Sequence, residues 1–144
     1  METKLVELEK IWLKFDLIKD YKSCEPILIE IWNLIPEPKK DYNRSYNYVT
    51  YMIDCCLGLK KKDEAKRWLL VLFDCFGNRY DSGETEFIAG KVFYEANEFE
   101  EASKYFKVAF DKSRGRQFKP NGFLSKKERD IEKVILEKYK KLIK

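Results

Sequence analysis

Few side chains in this 144-residue chain carry reactive atoms, and four of those that do are cysteines: Cys24, Cys55, Cys56 and Cys75. Their spacing is not the paired CxxC of a zinc site, and the neighbours Cys55 and Cys56 are badly placed to bridge each other within a helix. They read as small reduced core residues, which implies a cytoplasmic protein. Histidine is absent. That excludes Ser-His-Asp and Cys-His catalysis, imidazole bases and every zinc site that needs a histidine. Carboxylates crowd at Glu95, Glu98, Glu100 and Glu101, but acid–base work needs two environments that split their pKa values. On a helix-turn-helix surface they form a solvated face, favourable near a helix N-terminus. There is no P-loop, GxGxxG, HExxH or GxSxG motif. The expectation is a non-enzymatic protein with no cofactor and no metal.

Cationic groups offer a different chemistry, that of binding. Arg114-Gly115-Arg116-Gln117-Phe118-Lys119-Pro120 joins three positive charges and an aromatic ring to a turn. Arg114, Arg116 and Lys119 form a possible basic contact loop for phosphates or an acidic partner, with Phe118 and Phe123 expected to pin the loop. The formal net charge is only +4, yet residues 112–144 hold 12 Lys/Arg against 4 Asp/Glu, leaving the first 111 residues net acidic. Such asymmetry suits a solvated terminal helix, and keeps nucleic-acid binding through the basic C-terminal third as an alternative.

The elements that position these groups are helical. Glycine (6) and proline (4) are too scarce for a turn-rich β architecture. Leu5, Leu8, Ile11, Trp12, Phe15 and Ile18 make one apolar stripe at helical spacing. Ile27, Leu28, Ile31, Trp32 and Ile35 make a second, N-capped by Ser23, with Pro26 in its first turn and Pro36 and Pro38 as its stop. Helices are then expected over 46–59, 63–76, 84–96 and 99–112, with Gly77-Asn78 ending the fourth and Gly115 breaking the sixth. Ser125-x-x-Glu128 is a capping box that opens a last helix, with Ile131, Val134, Ile135, Tyr139 and Leu142 on one face. No stretch reaches the roughly 18 apolar residues of a membrane span, and no secretory signal is visible.

The helices repeat in pairs. Anchored on Cys24, Ala65 and Ala102, spaced 41 and 37 residues apart, the pairs align Phe15 with Cys56 and Phe93, and Leu28 with Leu69 and Phe106. Spacing of that size belongs to stacked hairpins, since a lone hairpin cannot bury both its apolar faces. In the third pair, Gly90, Phe93, Ala102, Phe106 and Ala109 fall where a tetratricopeptide repeat has its small, aromatic, alanine, aromatic and alanine positions. The segment 89–110 resembles that family strongly. The first pair resembles it through Asp20-Tyr21, Cys24 and Pro36, and the second through Ala65, with Ile53 in place of the small residue.

The resemblance implies an all-α fold, an α-solenoid of three hairpins (about 3–36, 45–77 and 83–113), a loop over 114–124 and a capping helix over 125–143, as one domain. It also implies a partner-binding groove along the first helices of the pairs, made by Asn47, Tyr51, Asp54, Phe87, Lys91, Tyr94 and Glu95. Rigid aromatics mixed with charge suit recognition of a protein or peptide. The carboxylate clamp of the chaperone-binding subclass is missing, because Glu9, Leu13, Tyr51, Glu84 and Ile88 stand at its places. The expected function is a cytoplasmic protein-binding module that occupies a macromolecular partner, as an adaptor or as an inhibitor. A toxin-neutralising immunity protein is one form of the latter.

Overall fold

The computed structural model describes residues 1–76 and 82–143. Among them are seven α-helices, two single 3-10 turns and no strand. The chain divides into two compact units, residues 1–77 and 78–144. In the first, α1 (Glu2–Leu17), α2 (Tyr21–Leu34), α3 (Ser45–Gly58) and α4 (Lys62–Phe76) pack in sequence, each against the next. In the second, α5 (Glu84–Glu95) packs on α6 (Phe99–Ser113), and α7 (Lys126–Lys141) closes over α6 and the 3-10 turn Arg116–Phe118. The expected stop at Gly77-Asn78 lies outside the described residues.

Hairpin geometry follows the internal alignment closely. Lys19, Lys60 and Asn97 are left-handed, with φ of 58°, 61° and 62°. Just after each, the N–H of Asp20, Lys61 or Glu98 donates to the carbonyl of Phe15, Cys56 or Phe93 at 2.9, 2.8 and 2.9 Å. This is the Schellman closure, which satisfies a carbonyl that the ended helix leaves unpaired. Arg114 (φ 54°) ends α6 in the same way, with Gly115 N–H on the Phe110 carbonyl at 2.9 Å. A single turn design thus recurs at equivalent positions of all three hairpins.

Small and aliphatic residues make much of the first core, whereas aromatic rings dominate the second. Cys24, Leu28, Ile31, Val49, Ile53, Cys56, Ala65 and Leu72 are buried in the first unit. In the second, Ala102, Phe106, Ala109, Phe118, Leu136 and Tyr139 form one cluster. Gly90 is required there, since a Cβ on it would come within 2.4 Å of the Phe106 ring.

Several expectations are corrected. Asp20, not Ser23, caps α2: its carboxylate accepts from the Ser23 N–H (3.2 Å) and the Ser23 hydroxyl (2.7 Å). A carboxylate reaches both donors where a hydroxyl reaches one, so the helix starts earlier and Pro26 falls inside it rather than in its first turn. Ile11 and Ile18 leave the buried stripe of α1, at 43% and 71% exposed, because Leu5 and Leu8 alone turn fully inward. On α7, Leu136 and Tyr139 are buried while Ile131, Val134 and Ile135 face outward. The helix docks through the arc next to the most apolar one. Phe118 does pin its loop, but Phe123 is fully exposed.

Candidate functional site

The first unit holds a cleft of about 410 Å³ between α1 and α3, lined by Val6, Glu9, Lys10, Trp12, Leu13, Arg44, Asn47, Tyr48 and Tyr51. Its floor is aromatic. Trp12 stacks on Tyr51 with ring centroids 4.5 Å apart and planes 22° from parallel, and Tyr48 meets Tyr51 edge-on at 6.4 Å. Helical spacing explains the pairing: Trp12 lies near the Leu5/Leu8 face of α1, and Tyr48 and Tyr51 are three apart on α3.

One wall is an electrostatic network. Arg44 donates from one guanidinium nitrogen to both oxygens of Glu9 (3.0 and 3.1 Å). Its other terminal nitrogen donates to Glu2 (3.0 Å) and to the Tyr42 hydroxyl (2.7 Å). Tyr42 in turn donates to Glu2 at 2.7 Å, and Tyr48 donates its hydroxyl proton to Glu9. Burial, followed by the Glu9 hydrogen bond, raises the Tyr48 phenol far above its ordinary range, so it stays a donor. The Tyr51 phenol is also raised, first by burial and then by the nearby carboxylates Glu9, Asp16 and Asp54. The network fixes α3 to α1 and spends the charges of Glu9 and Arg44 internally.

Three polar groups of the cleft remain uncommitted. Lys10 and Asn47 are exposed lining residues and Tyr51 is half-buried; none of these side chains makes a hydrogen bond or ion pair among the described residues. Val6 and Leu13, 39% and 47% exposed, add apolar surface beside them. The cleft therefore offers hydrogen-bond donors beside an aromatic bed.

Of the expected groove residues, Asn47 and Tyr51 meet in this cleft, while Asp54 is exposed further along α3. Those on α5 have other surroundings. Phe87 sits among Phe106, Phe118 and Tyr139 at 5.6, 5.1 and 5.9 Å between ring centroids. Tyr94 meets Phe99 and Tyr139 edge-on at 5.2 and 5.0 Å, which makes it packing surface for α6 and α7. Lys91 covers the Phe87 ring at 5.9 Å, and Glu95 is exposed. In the basic loop, Arg114, Arg116 and Lys119 are all exposed, with Arg116 Nε donating to the Ser113 carbonyl at 3.2 Å.

Glu9 and Arg44 carried no sequence signal as partners, being 35 residues apart. Trp12 was legible only as part of a core stripe. A second cluster was also invisible in the sequence: Glu25, Cys56 and Glu64, from three helices, bring one ligand atom each within 4.8 Å of one another. The Lys61 ammonium donates to Glu25 at 2.7 Å and supplies the positive charge there. Burial, followed by the carboxylates Glu64 and Glu25, pushes the Cys56 thiol up to about 11.

No protein-family model, curated protein or solved structure matches the chain. Among the described residues no helix is long and apolar enough to cross a membrane.

Proposed function

We propose that this protein is a non-enzymatic binding module that acts by holding a protein or peptide partner in the α1–α3 cleft. One observation carries the reading: the stacked Trp12–Tyr51 floor beside the uncommitted Lys10, Asn47 and Tyr51 groups. Rigid aromatic surface costs little side-chain entropy on binding, so it serves as an anchor. An aliphatic partner side chain fits over the two rings. A carbonyl or carboxylate of the same segment accepts from Asn47, Tyr51 or Lys10. The internal Glu9–Arg44 network holds this surface in place before a partner arrives.

Supporting this reading over catalysis is the lack of histidine and the protonated state of the buried thiols. It takes two forms. An adaptor leaves its partner active, whereas an inhibitor, such as an immunity protein facing a toxin, abolishes the partner's activity in the complex. The test is capture of a stoichiometric partner at high salt by the wild type and by Lys10→Glu/Asn47→Lys, whose side chains are exposed and outside the core. The double variant is expected to lose the partner with its far-UV circular dichroism unchanged. Retained capture would remove the cleft from the mechanism. Assay of the partner's activity in the complex then separates adaptor from inhibitor.

A further inference from the structure

The second unit carries a surface that the cleft does not use, on α7. At 3.6 residues per turn, Lys127, Ile131, Val134, Ile135, Lys138 and Lys141 share one arc of about 120°. Ile131, Val134 and Ile135 are 56%, 58% and 43% exposed, which is unusual for adjacent β-branched residues on a helix that already buries Leu136 and Tyr139. By the same geometry Glu132 and Glu137 lie well outside that arc, while Glu128 and Asp130 border it about 20° beyond its two edges. None of Lys127, Lys138 and Lys141 makes an ion pair among the described residues. Immediately ahead of the helix, Phe123 is 100% exposed on a turn held by its own N–H on the Asn121 side chain (2.9 Å) and Leu124 N–H on the Asn121 carbonyl (3.2 Å).

We infer that this face of α7, with Phe123 at its head, docks on an anionic lipid surface. An arc that is cationic and aliphatic, with no carboxylate, matches the interface between charged headgroups and acyl chains. Lysine stems lie along the apolar boundary while their ammonium groups rise to the phosphates. A second copy of the chain would set lysines against lysines. Nucleic acid would leave the aliphatic side chains without a partner. A single convex helix face offers no groove for a protein side chain, whereas a bilayer conforms to it. The inference is independent of the cleft and concerns a different unit.

Flotation of the full chain with vesicles tests it, using phosphatidylcholine alone and phosphatidylcholine with 30% phosphatidylglycerol. The wild type is expected to float with the anionic vesicles and to stay in solution with the neutral ones. Lys127→Glu/Lys138→Glu/Lys141→Glu should lower the partition more than 100-fold, at about fivefold for each lysine near the surface. Ile131→Ser/Val134→Ser should lower it by about tenfold. Phe123→Ser, which lies outside the helix and leaves its packing untouched, should act in the same direction. Equal flotation with both vesicle types, or none with the anionic ones, overturns the inference. So does loss on charge reversal with no change on either apolar variant, which is the behaviour of a polycation adsorbed without insertion.

Discussion

Replacing Gly90 by alanine tests how tightly the third hairpin is closed. The added Cβ would lie 2.4, 2.5 and 2.9 Å from Cδ1, Cε1 and Cγ of Phe106. That ring cannot swing freely, because Tyr139 stacks on it at 4.6 Å while Phe87 and Phe118 flank it at 5.6 and 5.7 Å. Helix propensity favours alanine over glycine by about 1 kcal/mol, whereas forcing a methyl into a packed core costs about 3 kcal/mol at the upper end of its range. The net expectation is a loss of about 2 kcal/mol, or a Tm lower by roughly 10 °C for a unit of this size. Phe106→Leu removes the obstructing ring edge, and in that background Gly90→Ala should become neutral or stabilising. The second hairpin already shows the reciprocal pairing, with buried Ile53 at the position of Gly90 and Leu69 at that of Phe106. A double-mutant cycle by thermal and urea denaturation should therefore give a coupling of about 2 kcal/mol. A neutral Gly90→Ala in the wild type, or the same loss in both backgrounds, would refute the packing argument.

Lys60 is exposed and left-handed, so Lys60→Gly should raise stability by about 0.5–1 kcal/mol, and a lowered Tm would show that its side chain supports the turn. Glu9→Ala strips Tyr48 of its acceptor and Arg44 of two hydrogen bonds; a loss of about 1–3 kcal/mol is expected in urea unfolding. Burial raises the thiols of Cys24, Cys55 and Cys56 to about 11, 12 and 11 from an ordinary value of 9.0. Iodoacetamide at pH 8 should then modify the half-buried Cys75 first, as peptide mass spectrometry would show. Because the folded state holds these thiols neutral, their stabilising effect is complete below pH 9 and is lost as pH rises through 11–12. Urea midpoints that stay flat from pH 8 to pH 11 would contradict this.

How legible the molecule was varies with the range of the interaction. Helix positions were readable to within a residue or two, because 3.6-residue periodicity, Pro36 and the Ser125–Glu128 capping box act through near neighbours in the chain. The start of α2 was misplaced because two capping residues, Asp20 and Ser23, stood in line and only geometry ranks them. The cleft was half legible. Asn47 and Tyr51 followed from their place on the first helix of a hairpin, but the Glu9–Arg44 pair and the Trp12–Tyr51 stack join residues more than thirty apart.

The sequence by itself determined an all-helical chain, the pairing of its helices at spacings of 41 and 37 residues, and the lack of imidazole chemistry. These depend on local backbone preference and on which atoms the side chains contain. Only the tertiary structure decided which apolar residues are core. α7 carries more aliphatic side chains than its contact with α6 covers, so docking through Leu136 and Tyr139 necessarily leaves Ile131, Val134 and Ile135 outside. Periodicity marks an apolar stripe, but the neighbouring helix selects the arc that it buries.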